Sequence, residues 1–119
     1  MPPSPMTGSK RIFSYEEALA TFPLVRRLTR QAVQQVESLF QRVRSQEELD
    51  DRHDELEGAT QSIVDAWAAE IEGIGCEVKG LWLVDFDSGS GYYCWRYPEE
   101  SLGHFHDYDE GFAGRVPIQ

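Results

Sequence analysis

A chain of 119 residues is long enough for one domain with a modest hydrophobic core and too short for two. Its formal net charge of -10 argues against general binding to nucleic acid or to an anionic membrane, because both need a cationic protein surface. Polar residues interrupt every hydrophobic run before it reaches the roughly 18 to 20 residues that a membrane span requires.

The first ten residues contain three prolines and no apolar periodicity. We expect residues 1–10 to be a disordered lead-in and residues 11–119 to form a single domain. The lead-in lacks the apolar run of a signal peptide, and Cys76 and Cys94 do not have the spacing of a disulfide framework. The sequence therefore predicts a cytoplasmic protein with free thiols.

Two amphipathic segments follow the lead-in. Ser14 and Glu17 have the spacing of a capping box, which predicts a helix start, and Pro23 predicts a kink or a restart soon afterwards. From Leu24 to Ile74 apolar residues recur at steps of three and four, which indicates a long helical hairpin. Gly75 is suited to end the second helix in a left-handed conformation.

The two predicted helices differ in charge, since the first carries an excess of arginine and the second an excess of aspartate and glutamate. Two long helices with an apolar stripe cannot bury that stripe completely by themselves. We therefore expect a homodimer in which two hairpins form a four-helix bundle.

After Gly75 the apolar period changes from that of a helix to that of a strand. Residues 81–86 and 92–97 are rich in aromatic and β-branched types and flank a glycine and serine turn, so they predict an antiparallel hairpin. A third strand is expected through residues 104–106, followed by an irregular tail. The predicted fold class is α+β, a long antiparallel helical hairpin followed by a small antiparallel β-sheet and an ordered C-terminal tail.

A four-residue turn after the second strand would place Cys94 opposite His106, with His104 on the same face of the sheet. Cys94, His104 and His106, with a carboxylate such as Glu110, form a ligand set for zinc or another divalent transition metal. Two alternatives stay open. In the one we favour, His106 packs against an aromatic ring and Cys94 is a small buried hydrophobe; in the other, the pair forms a reactive thiolate.

Three stretches of the sequence resemble a known family in their order and spacing: FSYEEALATFPLVRRL, LVDF and CWRYPEESLGHFHDYDEGFAGRVP. The family is a small bacterial domain of unknown function, DUF2203, and the resemblance covers residues 11 to 118. Its C-terminal pattern falls on Cys94, Trp95, Arg96, Glu99, Phe105, His106, Gly111, Phe112, Gly114 and Arg115. The resemblance implies an important tail and no particular reaction, and His104 lies outside the pattern.

The sequence leaves two alternative functions. The favoured interpretation is a cytoplasmic, dimeric interaction or scaffold module that binds a second copy or another protein. The alternative is a metal-dependent or thiol enzyme, or a metal-binding protein, with its site at Cys94, His106 and a nearby carboxylate. The candidate site residues are Cys94, Trp95, Arg96, Glu99, His106, Glu110, Phe112 and Arg115, and we expect Arg115 to be anchored by Asp85 or Glu99.

Overall fold

Long helices precede a five-stranded antiparallel sheet in the computed structural model, which describes residues 11–118. The elements are α1 (Tyr15–Gln41), α2 (Gln46–Asp51), α3 (His53–Ile74), β1 (Glu77–Gly80), β2 (Leu83–Asp87), β3 (Tyr92–Arg96), β4 (His104–His106), a single 3-10 turn (Phe112–Gly114) and β5 (Val116–Pro117). The predicted α+β class is confirmed. The predicted disorder of residues 1–10 lies outside the described residues.

Helix α1 begins at the predicted capping box. The Ser14 hydroxyl accepts from the Glu17 backbone N–H at 3.0 Å, and the Glu17 carboxylate accepts from the Ser14 N–H at 2.9 Å. The predicted restart at Pro23 is wrong, because α1 continues through this residue as far as Gln41. Pro23 is exposed, and so is Leu19, whose carbonyl loses its helical donor there, so the missing hydrogen bond falls on the solvent side of the helix.

The second predicted helix is divided into two pieces at Arg52, with the short α2 before it and α3 after it. Helix α3 ends at Gly75, whose φ of 109° is the left-handed conformation predicted for the cap. An added Cβ at Gly58 would meet nothing within 4 Å, so this glycine does not mark a close helix crossing.

Helices α1 and α3 form the predicted hairpin, and the sheet covers one face of it near its base. Phe22 of α1 packs edge-on against Trp95 of β3 at 5.3 Å between ring centroids. Trp67 of α3 packs against Trp82 at 4.9 Å and donates from its indole N–H to the Thr29 hydroxyl of α1 at 2.8 Å. The core therefore lies between the base of the hairpin and the sheet.

The remainder of the hairpin extends beyond the sheet as an arm. The Cα radius of gyration is 16.5 Å, whereas a compact domain of about this length has a radius near 13 Å. None of the helices within residues 11–118 is long and apolar enough to cross a membrane.

The sheet is a simple meander in the order β1-β2-β3-β4-β5. The predicted first strand at 81–86 is displaced, because a turn at Leu81 and Trp82 separates β1 from β2 and gives Trp82 a φ of 59°. The predicted irregular tail contains β5, which pairs with β4. These short strands have little sequence signal of their own and depend on pairing with their neighbours.

The register of β3 against β4 differs from the predicted one by two residues. Cys94 lies opposite His104, and Tyr92 lies opposite His106. The connection is built around Glu99, which donates its backbone N–H to the Arg96 carbonyl at 2.9 Å. Because the shift is an even number of residues, Cys94 and both histidines stay on one face, as predicted.

Candidate functional site

The two faces of the sheet differ, because neighbouring residues along a strand point to opposite sides. Val84, Phe86 and Trp95 belong to the hydrophobic core beneath the helices. Asp85 and Cys94 occupy alternate positions of the same strands and are also buried, on the face turned away from the helices. Packing against the helices therefore does not account for these two polar side chains.

His106 joins Asp85 and Cys94 in a cluster that we call the triad. The three residues come from three adjacent strands, β2, β3 and β4. One carboxylate oxygen, the Sγ atom and one ring nitrogen lie within 4.8 Å of one another. Asp85 is 1% exposed, Cys94 0% and His106 4%. Three different metal-ligating side chains thus converge in a buried place.

The ring of His106 is held by a hydrogen bond at each nitrogen. Nδ1 lies 2.8 Å from the backbone carbonyl of Asp107, and since a carbonyl only accepts, Nδ1 carries a proton. Nε2 lies 2.9 Å from Oδ2 of Asp85, so these two groups share one further proton. The Nε2 atom is therefore the one presented to the triad.

The Asp85 carboxylate is only partly satisfied. Its Oδ2 meets His106, but Oδ1 is buried without a hydrogen-bond partner among the described residues. Burial raises the pKa of the Asp85 carboxyl above its ordinary value, and the nearby His106 offsets only a part of that effect. An orphaned carboxylate oxygen of this kind is costly in a folded protein unless another group binds it.

The Cys94 thiol is in an environment that keeps its proton. Burial, and after it the neighbouring Asp85 carboxylate, raises the pKa of the thiol to about 12. Cys94 is therefore a neutral thiol near pH 7, which does not favour the predicted thiolate nucleophile. A bound cation would reverse this, because a metal-coordinated cysteine loses its proton.

The C-terminal tail crosses this face of the sheet and is anchored by Arg115. Its guanidinium forms a two-pronged ion pair with Glu99, one contact being 3.0 Å from Nη1 to Oε1 and the other from Nη2 to Oε2. The same guanidinium lies over the Phe112 ring at 4.1 Å from its centroid. Of the two predicted partners of Arg115, the structure selects Glu99 rather than Asp85.

The anchor also sets the protonation of Glu99. Burial alone would raise the pKa of this carboxyl, but hydrogen bonds from Arg115 and from the Arg96 backbone outweigh it and hold the pKa below its ordinary value. The ion pair is thus formed throughout the neutral range.

A cavity of about 240 Å³ opens beside the triad, between the sheet face and the tail. Asp85 and His106 line it from the sheet, Lys79 lies at one side, and Glu110 and Phe112 line it from the tail. A small molecule or a few waters fit a space of this size. Two of the three triad residues therefore border a defined pocket.

The other predicted site residues are distributed around the triad. Trp95 points into the core, where its indole N–H donates to the Glu99 carbonyl at 2.8 Å. Arg96 is exposed and lies 5.3 Å from the Phe112 ring centroid. His104 has a buried Nδ1 without a partner among residues 11–118, but it is not part of the triad.

Asp85 was not among the predicted ligands. The signal that identifies it is its position in LWLVDF, where it is the one charged residue among apolar neighbours. Charged residues are rarely fully buried unless they are paired or bind a metal, so an acid in such a run indicates a site.

Comparison with known proteins identifies a family for this chain but gives no activity. The model of an uncharacterised conserved protein family, DUF2203, matches residues 11–118. Searches of the curated proteins and of the solved structures each found no match to this chain.

Proposed function

The chain belongs to the DUF2203 family of uncharacterised conserved proteins, and since this membership brings no reaction with it, we propose a function from the triad itself. The protein binds one divalent transition metal ion, zinc foremost, through Asp85, Cys94 and His106. The observation that carries this proposal is the convergence of the three ligand atoms within 4.8 Å in a buried place.

The donor chemistry supports zinc. A thiolate, an imidazole and a carboxylate together suit a borderline-soft ion and do not suit magnesium or calcium, which prefer oxygen ligands. The hydrogen bond from Nδ1 of His106 to the Asp107 carbonyl fixes the ring with Nε2 toward the triad, a common arrangement around metal-binding histidines.

The distances support a tetrahedral ion after small movements. Ordinary zinc bond lengths place neighbouring ligand atoms about 3.3 to 3.6 Å apart in a tetrahedron. The separation of 2.9 Å between Nε2 of His106 and Oδ2 of Asp85 must then open by about half an ångström. An ion bound at Oδ1 instead would supply the partner that this oxygen lacks among the described residues.

Three protein ligands leave one coordination position free. Catalytic zinc sites have three protein ligands and a water, whereas structural sites have four protein ligands. Asp85 and His106 border the cavity of about 240 Å³, so the free position faces a pocket, and Glu110 in its wall is a carboxylate able to accept a proton. We therefore infer that a metal ion held here would activate a water molecule for the hydrolysis or hydration of a small substrate.

Cobalt substitution tests the proposal, because a cobalt–thiolate bond has a charge-transfer absorption that oxygen and nitrogen ligands do not give. We expect the untagged full chain to take up one equivalent of Co²⁺ with this absorption, and excess Zn²⁺ to abolish it. Cys94→Ser should lose the band. The matched control is Cys76→Ser, since Cys76 is equally buried but belongs to the hydrophobic core.

Two further variants separate the ligand sets. Asp85→Asn should weaken zinc binding, whereas His104→Ala should leave it unchanged, contrary to the ligand set predicted from the sequence. Should the Cys94 variant not fold, zinc must still raise the melting temperature of the wild-type chain, by an amount that increases with zinc concentration. Absence of a thiolate band and of any zinc-dependent stabilisation in the wild type would overturn the proposal.

We propose a dimeric interaction module as a second function, on a different observation. The arm exposes an apolar surface near its end, where Phe40 is 42% exposed and borders a groove of about 560 Å³ with Leu49 and Leu56. Exposed apolar surface of this kind is typical of protein-binding sites. Sedimentation of the full chain should therefore reveal an oligomer. The cytoplasmic location stays a prediction from the sequence.

A further inference from the structure

The cavity beside the triad has both apolar and acidic walls. Leu83 and Phe112 make part of the wall apolar. Asp85 places a carboxylate on the side of the sheet, and Glu110 places another on the side of the tail. The volume of about 240 Å³ corresponds to about eight waters at roughly 30 Å³ each, so a small organic molecule fits the space. The side chains around the cavity decide which chemistry that molecule has.

Lys79 is the one lysine or arginine among the described residues that lines this cavity, and its charge is already paired. Its Nζ atom lies 3.2 Å from Oε1 of Glu77 and 4.3 Å from the centroid of the Tyr92 ring. Arg115, which follows in the tail, is paired with Glu99. An anionic ligand would therefore have to compete with an existing partner for either of these cations.

Glu110 differs from these cations, because its charge is not paired. Its side chain is exposed at the cavity wall and forms no ion pair within residues 11–118. Asp107 and Asp109, which are also exposed, come shortly before it in the tail. Charges of one sign at the mouth of a cavity attract ligands of the opposite sign. The electrostatics of this cavity therefore favour a cation.

Asp85 supplies a second acceptor, and a bound metal ion does not remove it. Oδ1 is buried without a partner among the described residues, and Oδ2 meets Nε2 of His106. An ion that takes one oxygen of Asp85 also takes Nε2 of His106, so the other oxygen then has no donor. A buried acceptor of this kind is costly unless a ligand donates to it. The charge of a divalent ion is balanced by the Asp85 carboxylate and the Cys94 thiolate, so the negative charge of Glu110 remains.

We propose that the substrate of this site is a small organic cation with N–H donors, best fitted by a planar amidinium or guanidinium group. This inference rests on the proposed metal-dependent function and names its substrate class. The N–H groups donate to the free oxygen of Asp85 on one side and to the Glu110 carboxylate on the other. A delocalised cation is also more weakly hydrated than an ammonium, so it loses less hydration beside Leu83 and Phe112.

Three probes of the same shape test the charge, since benzamidine is a cation, benzamide is neutral and benzoate is an anion. Calorimetric titration of the full chain, without zinc and with zinc, measures their binding. Benzamidine should bind about tenfold or more tightly than benzamide in both states, and benzoate should be the weakest of the three without zinc. Glu110→Gln should remove the preference for benzamidine and leave the binding of benzamide unchanged. The control is Asp109→Asn, which removes an equal charge at a residue outside the cavity wall.

The outcomes separate this inference from the metal proposal. A chain that binds zinc but prefers benzoate in its zinc-free form, or binds benzamidine equally well after Glu110→Gln, overturns the inference while the metal proposal stands. A chain without a cobalt–thiolate band and without zinc-dependent stabilisation overturns the metal proposal, whereas a preference for benzamidine that depends on Glu110 still supports a cation site in the cavity. The melting temperature of each variant checks its fold, and the comparison of the three probes on the wild type depends on no variant.

Discussion

The hydrogen bond between Trp67 and Thr29 holds the two long helices in register, and its removal should weaken the fold. Thr29 is fully buried, and its hydroxyl accepts the indole N–H of Trp67 at 2.8 Å. The same hydroxyl donates to the Val25 carbonyl one turn earlier, also at 2.8 Å. Thr29→Val preserves the shape of the side chain but leaves the indole N–H buried with nothing to accept it.

The expected cost follows from what the variant loses. A buried donor left without a partner costs about 1 to 3 kcal/mol. The Val25 carbonyl loses less, because it still accepts the ordinary backbone bond of the helix, and the new methyl group adds no cavity. We therefore expect Thr29→Val to lower the free energy of unfolding by about 1 to 3 kcal/mol, or the melting temperature by about 4 °C per kcal/mol.

Urea denaturation measures this effect, with the slope of the transition as a check that the variant unfolds in the same way. Thr29→Ser is the control, since it retains the hydroxyl and should lose only about 1 kcal/mol for one missing methyl group. In a Trp67→Phe background the donor is absent, so Thr29→Val should cost much less there. A Thr29→Val variant as stable as the wild type, or equal costs in the two backgrounds, would refute the reasoning.

Two further predictions concern the cap of α3 and the anchor of the tail. Gly75→Ala should lower the free energy of unfolding by about 1 to 2 kcal/mol, because φ is 109° and the new Cβ would lie 2.7 Å from a neighbouring side chain. The control is Gly58→Ala, whose new Cβ would meet nothing within 4 Å and which should stabilise the helix by up to about 1 kcal/mol. Equal effects of the two substitutions in thermal melts would contradict this prediction. Arg115 holds the pKa of Glu99 below its ordinary value. The ion pair between Glu99 and Arg115 therefore stabilises the fold fully at pH values above the ordinary pKa of a glutamate, and this stabilisation is lost as the pH falls through the lowered pKa of Glu99. Glu99→Gln should therefore lose about 1 kcal/mol at pH 7 and respond less than the wild type to acid in urea titrations followed from pH 7 to pH 3; an unchanged acid response would exclude this role.

Short sequence patterns correctly predicted those features that depend on residues close together along the chain. The capping box at Ser14 and Glu17 and the left-handed cap at Gly75 each involve residues a few positions apart, and both were predicted correctly. The repeat of apolar residues at steps of three and four likewise predicted the helices, because each helix satisfies its own backbone and needs only one apolar stripe to pack. Pro23 misled the prediction because its effect depends on which side of the helix faces solvent.

The candidate site depended on contacts that no local pattern fixes. The alternation of strand residues placed Cys94 and His106 on one face correctly, but the two-residue register and the third member, Asp85, were missed. The register is set by a connection closed around Glu99, which is in turn held by Arg115 from the tail. The sequence by itself determined the helices, their caps and the class of fold, since these follow from neighbours along the chain. Only the tertiary structure decided that Asp85 meets Cys94 and His106, because strand pairing between distant segments brings those atoms together.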